Sequence, residues 1–322
     1  MTERRRLGRT SIEITPIGLG CWQFSGGHGF VGGFWEALSP EAVDEIVRVA
    51  LAGGINWFDT AEAYGKGRSE RALVRALAAA GRKDGDVVVA TKWWPVLRTA
   101  RSVRTTIGER LRCLDGFSID LHQVHQPFSF SSVEAEMEAM ADLVAARKTR
   151  AVGVSNFSAG QMRRAHAALE KRGIPLASNQ VRYSLVHRRI ESNGVLDAAK
   201  ELGVTIIAYS PLGQGILSGR FHDDPALIRS RPGPRRHMSA FRASGLARTK
   251  PLVDEVRRIA AARAVTPSQV ALNWLLHSHG ETVVAIPGAS RPRHAEEAAG
   301  AMGFRLAPEE MRRLEELSRP FR

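Results

Sequence analysis

Eight short apolar runs, at 17–19, 55–58, 87–91, 120–124, 151–154, 177–181, 205–208 and 283–286, recur along this chain of 322 residues. Between them, apolar residues return at i, i+3 and i+4, the spacing of one helix face. The helical patterns run over 40–52, 70–80, 103–114, 132–146, 159–171, 195–202, 251–262 and 267–277, with a final surface helix at 309–317. Ser39-Pro40 and Thr266-Pro267 each pair an N-cap with proline at the first helical position, and Ser69 reads as the N-cap of the helix opening at Glu70. Strands joined through helices are parallel, because a hairpin turn cannot return the chain to the same end of a sheet. Eight such units point to an α/β fold, a (β/α)8 TIM barrel, rather than an open doubly wound sheet. The chain, 43% hydrophobic, is long enough to build it as a single domain spanning 1–322.

Two segments break the rhythm. Residues 4–14, with Gly8 in a tight turn, read as an N-terminal β-hairpin lying as a lid over the N-terminal end of the barrel. Residues 213–250, after the seventh run, are rich in Gly, Pro and Arg with weak periodicity. A loop that long in a compact domain is commonly functional, and a cover over a bound ligand is one such use.

The polar residues at the run ends are what a barrel turns to chemistry. The second run ends in Asp59 and, five residues on, Tyr64; the third delivers Lys92 and the fourth His125. A free phenol titrates near pH 10 and is a poor proton donor at neutrality. An adjacent ammonium stabilises the phenolate, and a carboxylate keeps a buried ammonium charged. Together with an imidazole that orients an oxygen, the four form a general acid for a carbonyl becoming an alcohol. Taken singly, Asp59 could cap a turn, Tyr64 could pack, Lys92 could be a surface cation and His125 a core residue. As a set at successive run ends they read as one site. The hydride must come from elsewhere, and no G-x-G-x-x-G opens a helix after a strand. Later run ends offer amides, hydroxyls and an aromatic ring instead: Ser155-Asn156, Gln180 and Tyr209-Ser210.

Several classes are set aside. Runs of four to six residues cannot span a bilayer, and the charged start MTERRRLG lacks the apolar stretch of a signal peptide. Cys21 and Cys113 are too few for a disulfide scaffold, and no metal-type spacing links them. A cytoplasmic protein without membrane or metal is expected. The net charge of +13 is mostly arginine scattered through helical segments, which argues against nucleic acid in the absence of a recognition motif. One denser cluster, Arg229, Arg231, Arg235, Arg236, His237 and Arg242, is either a solvated loop or an attractor for an anionic ligand.

The motifs GLGCW at 18–22, FDTAEAYG at 58–65, TKWW at 91–94, DLHQVHQP at 120–127, VGVSNFS at 152–158, SNQVRYSL at 178–185, AYSPLGQGILSGR at 208–220 and IPGASRPRH at 286–294 follow one another across nearly the whole chain. In that order they resemble the aldo-keto reductases. The resemblance implies a carbonyl reductase with NADPH as cofactor and NADH as the alternative. It implies Tyr64 as general acid, Lys92 and Asp59 as its tuning pair, and His125 positioning the carbonyl. It also implies that the cofactor lies along Gly20, Cys21, Trp22, Asp59, Ser155, Asn156, Gln180, Tyr209, Ser210, Pro211, Leu212, Gly213, Gly215, Arg220, Ile286, Gly288, Ser290, Arg291, His294 and Glu297. Ser155, Asn156 and Gln180 would hold the carboxamide, Tyr209 would stack on the nicotinamide, and Arg291 would meet the 2′-phosphate. At the adenosine end, Ser290, His294 and Ala298 depart from the common pattern of Arg, Gln and Asn. Trp22 and Trp94 would wall an apolar pocket for a small carbonyl substrate. LASNQVRYSL, AYSPLGQG and IPGA are also similar to bacterial and plant aldehyde and pyridoxal reductases. Two rivals stand beside this reading. One is a Schiff-base lyase with Lys92 as nucleophile; the other is a cofactor-binding partner protein like the β subunits of voltage-gated potassium channels. Substrate and oligomeric state are left open.

Overall fold

The computed structural model describes residues 3–27, 33–230 and 237–322. Its first two strands, β1 (Arg5–Arg6) and β2 (Glu13–Ile14), pair antiparallel with Arg5 opposite Ile14. The turn between them puts Gly8 at a φ of 57°, where a Cβ would stand 2.5 Å from the Ala177 carbonyl oxygen. Only glycine fits there. The Gly8 amide donates to the Thr205 hydroxyl at 2.7 Å.

Eight parallel strands follow: β3 (Leu19–Gly20), β4 (Trp57–Asp59), β5 (Val88–Trp93), β6 (Leu121–Val124), β7 (Ala151–Ser155), β8 (Leu176–Arg182), β9 (Thr205–Tyr209) and β10 (Val283–Ala285). Each pairs with its sequence neighbour, as right-handed crossovers in a barrel require. Two isolated parallel bridges, Ile17 to Ala285 and Gly20 to Gly288, join the first strand to the last. The fold is the (β/α)8 barrel expected.

The crossovers are α1 (Pro40–Ala52), α2 (Arg68–Ala79), α3 (Arg101–Cys113), α4 (Val133–Ala145), α5 (Ala159–Glu170), α6 (Val195–Leu202), a single turn α7 (Arg220–Asp223), α8 (Ala243–Ala262) and α9 (Pro267–His277). After β10 come α10 (Pro292–Gly300) and α11 (Pro308–Ser318). Ser39 caps α1 by accepting from the Ala42 amide, and Thr266 with Gln269 forms a capping box on α9. Apolar side chains pack in two bodies, one between strands and helices. The other fills the barrel interior with Trp57, Ala90, Leu121, Ala151, Ala177, Ile207 and Val284, and is closed from below by Leu7, Ile12 and Ile14 of the hairpin. The hairpin is therefore the expected bottom lid.

Three expectations are corrected. Gly67, not Ser69, is the N-cap of α2; Ser69 lies inside the helix, its hydroxyl donating to the Cys21 carbonyl at 2.6 Å and accepting from Thr60 at 2.8 Å. The segment after β9 is not structureless. It holds 3-10 turns at Gly213–Ser218, Pro225–Ile228 and Ser239–Phe241 besides α7. Finally, α8 begins at Ala243, so Pro251 sits within it rather than at its start. A proline inside a helix costs about 3 kcal/mol through its missing N–H and steric clash. Burial of Leu246 and Thr249 on the upstream turn offsets that, since a buried leucine returns about 1.5–3 kcal/mol.

Candidate active site

The C-terminal ends of the strands open into a cleft of about 650 Å³, within the range of ligand sites. Asp59 is the last residue of β4, Lys92 lies one before the end of β5, and His125 directly follows β6. Tyr64 stands on the loop joining β4 to α2. The Lys92 ammonium is fully buried and donates to Asp59 Oδ1 and, at 2.8 Å, to the Thr60 carbonyl. Asp59 Oδ2 accepts from Gln123 Nε2 at 3.0 Å and Gln180 Nε2 at 2.9 Å. Both carboxylate oxygens are thus satisfied, which a buried ion pair needs to persist.

Tyr64 joins this pair through space. Lys92 Nζ lies 5.2 Å from the centroid of its ring. Trp22 stacks on the phenol at 5.9 Å and 20°, and His125 meets it edge-on at 5.7 Å. Burial pushes the Tyr64 phenol well above its ordinary pKa, and the Asp59 carboxylate pushes the same way. The sequence leads one to expect net acidification by the ammonium; burial wins, and the phenol stays protonated through neutral pH. Burial also holds His125 well below the ordinary imidazole value, with the Lys92 charge adding to it. The imidazole is neutral. Cys21, buried beneath, is pushed upward by burial and is a poor nucleophile. His122 is fully enclosed and pushed down to about 3.

Beyond the tetrad the wall is amide and hydroxyl. Ser155 Oγ donates to the Gln180 carbonyl at 2.8 Å, Asn156 Nδ2 to Ser155 Oγ at 3.1 Å, and the Tyr209 hydroxyl to Asn156 Oδ1 at 3.0 Å. Asn156, Ser210 and Gln214 adopt φ of 62°, 50° and 57°. Non-glycine residues held there cost about 1–3 kcal/mol each and cluster at functional sites. Arg220, Arg291, Arg293 and His294 also line the cleft, the last three at the N-terminus of α10, a setting for anionic groups.

Of the residues singled out from the sequence, Gly20, Cys21, Trp22, Asp59, Tyr64, Trp94, His125, Ser155, Asn156, Gln180, Tyr209, Ser210, Pro211, Leu212, Gly215, Arg220, Ile286, Gly288, Ser290, Arg291, His294 and Glu297 all line the one cleft. Two stand back from it. Lys92 is sealed behind Asp59 and Thr60, and Gly213 faces Val186, 2.7 Å from where a Cβ would be. In the arginine cluster, Arg229 and Arg242 are exposed and absent from the cleft wall, while Arg231, Arg235 and Arg236 lie outside the described residues.

Sequence reading missed Gln23, Gln126 and Arg293, while Gln214 comes from the 213–250 segment expected to cover a ligand and Phe34 and Trp35 from the loop after the first run. It also missed Gln123, which is fully buried. Gln123 was findable, since two-residue alternation along β6 puts it on the face of His125. Among the described residues, no group of three His, Cys, Asp or Glu side chains is arranged to hold a metal ion, and no helix is long and apolar enough to cross a membrane.

A dinucleotide suits this cleft by two observations. The amide oxygens of Gln23 and Gln214, both buried in its wall, have no hydrogen-bond partner among the described residues. Arg220, Arg291 and Arg293 add positive charge to the same wall, which favours the anionic phosphates of a dinucleotide.

Comparison with known proteins agrees with the geometry. The sequence model described as "Aldo/keto reductase family" matches residues 16–319. An oxidoreductase of Mycobacterium tuberculosis is 37% identical over 311 residues, covering 96% of this chain and 91% of that protein. The chloroplastic pyridoxal reductase of Arabidopsis thaliana is 32% identical, covering 94% and 83%. Among solved structures, the glycerol dehydrogenase of Gluconobacter oxydans superposes with a TM-score of 0.83 at 26% identity, covering 98% of this chain and 94% of that one. A thermostable aldo-keto reductase bound to epalrestat gives 0.75 at 29%, covering 98% and 99%.

Proposed function

The chain belongs to the aldo/keto reductase family of oxidoreductases, and on that premise we propose that it reduces an aldehyde or ketone to an alcohol with NADPH, Tyr64 supplying the proton. The observation that carries this is the protonated phenol of Tyr64 on the cleft wall, between the buried Asp59–Lys92 pair and a neutral imidazole.

Bound NADPH supplies the hydride. The chain's own residues handle the oxygen. As the carbonyl oxygen gains negative charge, the Tyr64 hydroxyl gives it a proton. The phenolate left behind is compensated by Lys92, whose charge Asp59 holds in place, and is reprotonated from solvent. Neutral His125 orients the substrate oxygen toward the phenol, and proximity of donor and acceptor contributes much of the rate. Asn156 and Gln180 suit a carboxamide, and the Tyr209 ring suits stacking on the nicotinamide. Arg291 is our choice for the 2′-phosphate, which favours NADPH over NADH. We take residues 1–322 as one catalytic domain working in the cytoplasm, in keeping with the two unpaired, buried cysteines.

The test is a panel of aldehydes, ketones and pyridoxal with each nicotinamide cofactor, followed at the cofactor's absorbance. Turnover dependent on Tyr64 supports the reading. Tight NADPH binding without turnover would overturn it in favour of a partner protein, and borohydride trapping of substrate on Lys92 in favour of a lyase.

A further inference from the structure

Glu62 lies between Asp59 and Tyr64 in sequence, yet the chemistry above makes no use of it. Its carboxylate is nearly enclosed, at 7% exposure, and burial pushes its pKa upward against two guanidiniums. Arg98 bonds to Glu62 Oε1 from the solvent side, and Arg110 stands behind at 3.7 Å. The Glu62 amide donates to the Lys92 carbonyl at 3.3 Å, and the Arg98 amide donates to the carbonyl of Pro95, the residue after Trp94, at 3.0 Å. These contacts pin the β5–α3 loop, which carries Trp94, onto the loop bearing the phenol. Trp94 in turn packs edge-on against His125, at 5.2 Å and 86°, and lines the cleft.

The tie extends further. The Arg98 carbonyl accepts from the Phe130 amide at 2.8 Å, and the Ala100 amide donates to Ser131 Oγ at 2.9 Å. The β6–α4 loop, whose Gln126 lines the cleft, is thereby joined to the first. Through these contacts the buried Glu62 carboxylate is linked to both loops.

We propose that Glu62 and Arg98 are positioning residues: their ion pair holds Trp94 against His125 and so sets how firmly the cleft grips the non-reacting part of a carbonyl substrate. This rests on the reductase reading for its kinetic consequence, but not for its structural one. An exposed ion pair would contribute little. Here the carboxylate is buried, so losing Arg98 leaves it short of a partner, and the loop must shift to admit water.

The experiment compares Arg98→Ala with Arg98→Lys and Glu62→Gln. Acrylamide quenching of the Trp94 fluorescence is taken as the difference between each protein and its Trp94→Phe counterpart. Arg98→Ala should at least double that quenching. It should raise KM for benzaldehyde about fivefold or more, while kcat stays within about twofold and NADPH affinity is unchanged, the pattern of lost substrate binding. Arg98→Lys should recover most of both, and Glu62→Gln should follow Arg98→Ala. Unchanged quenching in Arg98→Ala, or a lysine variant no better than alanine, overturns the proposal. If the wild type reduces nothing but the quenching still responds, the reductase reading fails while the anchor stands.

Discussion

The Lys92 ammonium stands 5.2 Å from the centre of the Tyr64 ring while its hydrogen bonds go to Asp59 and Thr60. The charge thus reaches the phenol through space across a dry interior, where screening by water is weak. The hydroxyl is left free to face a substrate.

Removing that hydroxyl isolates its role. Tyr64→Phe keeps the ring stacked on Trp22, so the cleft should retain its shape. We expect kcat to fall about 10²- to 10⁴-fold, the range for losing a general acid, with NADPH affinity by fluorescence titration nearly intact. Wild-type turnover would show that another group delivers the proton.

Lys92→Met acts on both pH dependence and stability. Burial and Asp59 already push the phenol upward, and without the ammonium Asp59 is uncompensated. Alcohol oxidation, which needs the phenolate, should shift to higher pH, while carbonyl reduction, which needs the phenol, keeps its neutral plateau. Stranding a buried carboxylate costs about 3–5 kcal/mol, seen as a lower melting temperature. Adding Asp59→Asn should recover stability but not the wild-type pH profile. An unchanged oxidation profile would refute the pairing.

Arg291, the N-cap of α10 on the cleft wall, is testable by cofactor choice. Arg291→Ala should weaken NADPH about tenfold or more, the scale of a lost charge-assisted contact, and leave NADH nearly unaffected. Equal losses for the two cofactors would clear Arg291 of the 2′-phosphate.

Glu136 on α4 makes a pH prediction away from the site. Burial raises its carboxyl from 4.5 to about 7, opposed by the Ser129 hydroxyl. Between those values the folded chain keeps a proton that the unfolded chain releases. Its contribution to stability is therefore full below the unfolded pKa and declines as pH rises toward the folded one. The decline is on the order of 3 kcal/mol. Glu136→Gln should be more stable than wild type at pH 8 by that amount and differ little at pH 4.5, read from urea melts. Equal differences at both pH values would show that the carboxyl is not held neutral.

Much of this is legible in the sequence. The alternation of apolar runs and helical spacing reads directly as the barrel, because strand and helix periods differ and the crossovers are short. Asp59, Tyr64, Lys92 and His125 were legible because side chains that leave strand ends converge. The segment after β9 was not, because its turns are stabilised by distant partners. The Arg257 guanidinium, for instance, bonds to the Gly219 carbonyl at 2.9 Å and pairs with Asp223. Pro251 misled for the same reason: local propensity places it at a helix start, while burial of Leu246 carries the helix upstream past it. The dominance of burial over the Lys92 charge at Tyr64 was illegible too, since it depends on how thoroughly the phenol is enclosed.

Among the described residues, the ring of strands is completed by two bridges, Ile17 to Ala285 and Gly20 to Gly288, and the latter glycines both border the cleft. Any molecule resting across that junction is a rivet between the first stave and the last. Loading the cleft should therefore toughen the whole cask against heat.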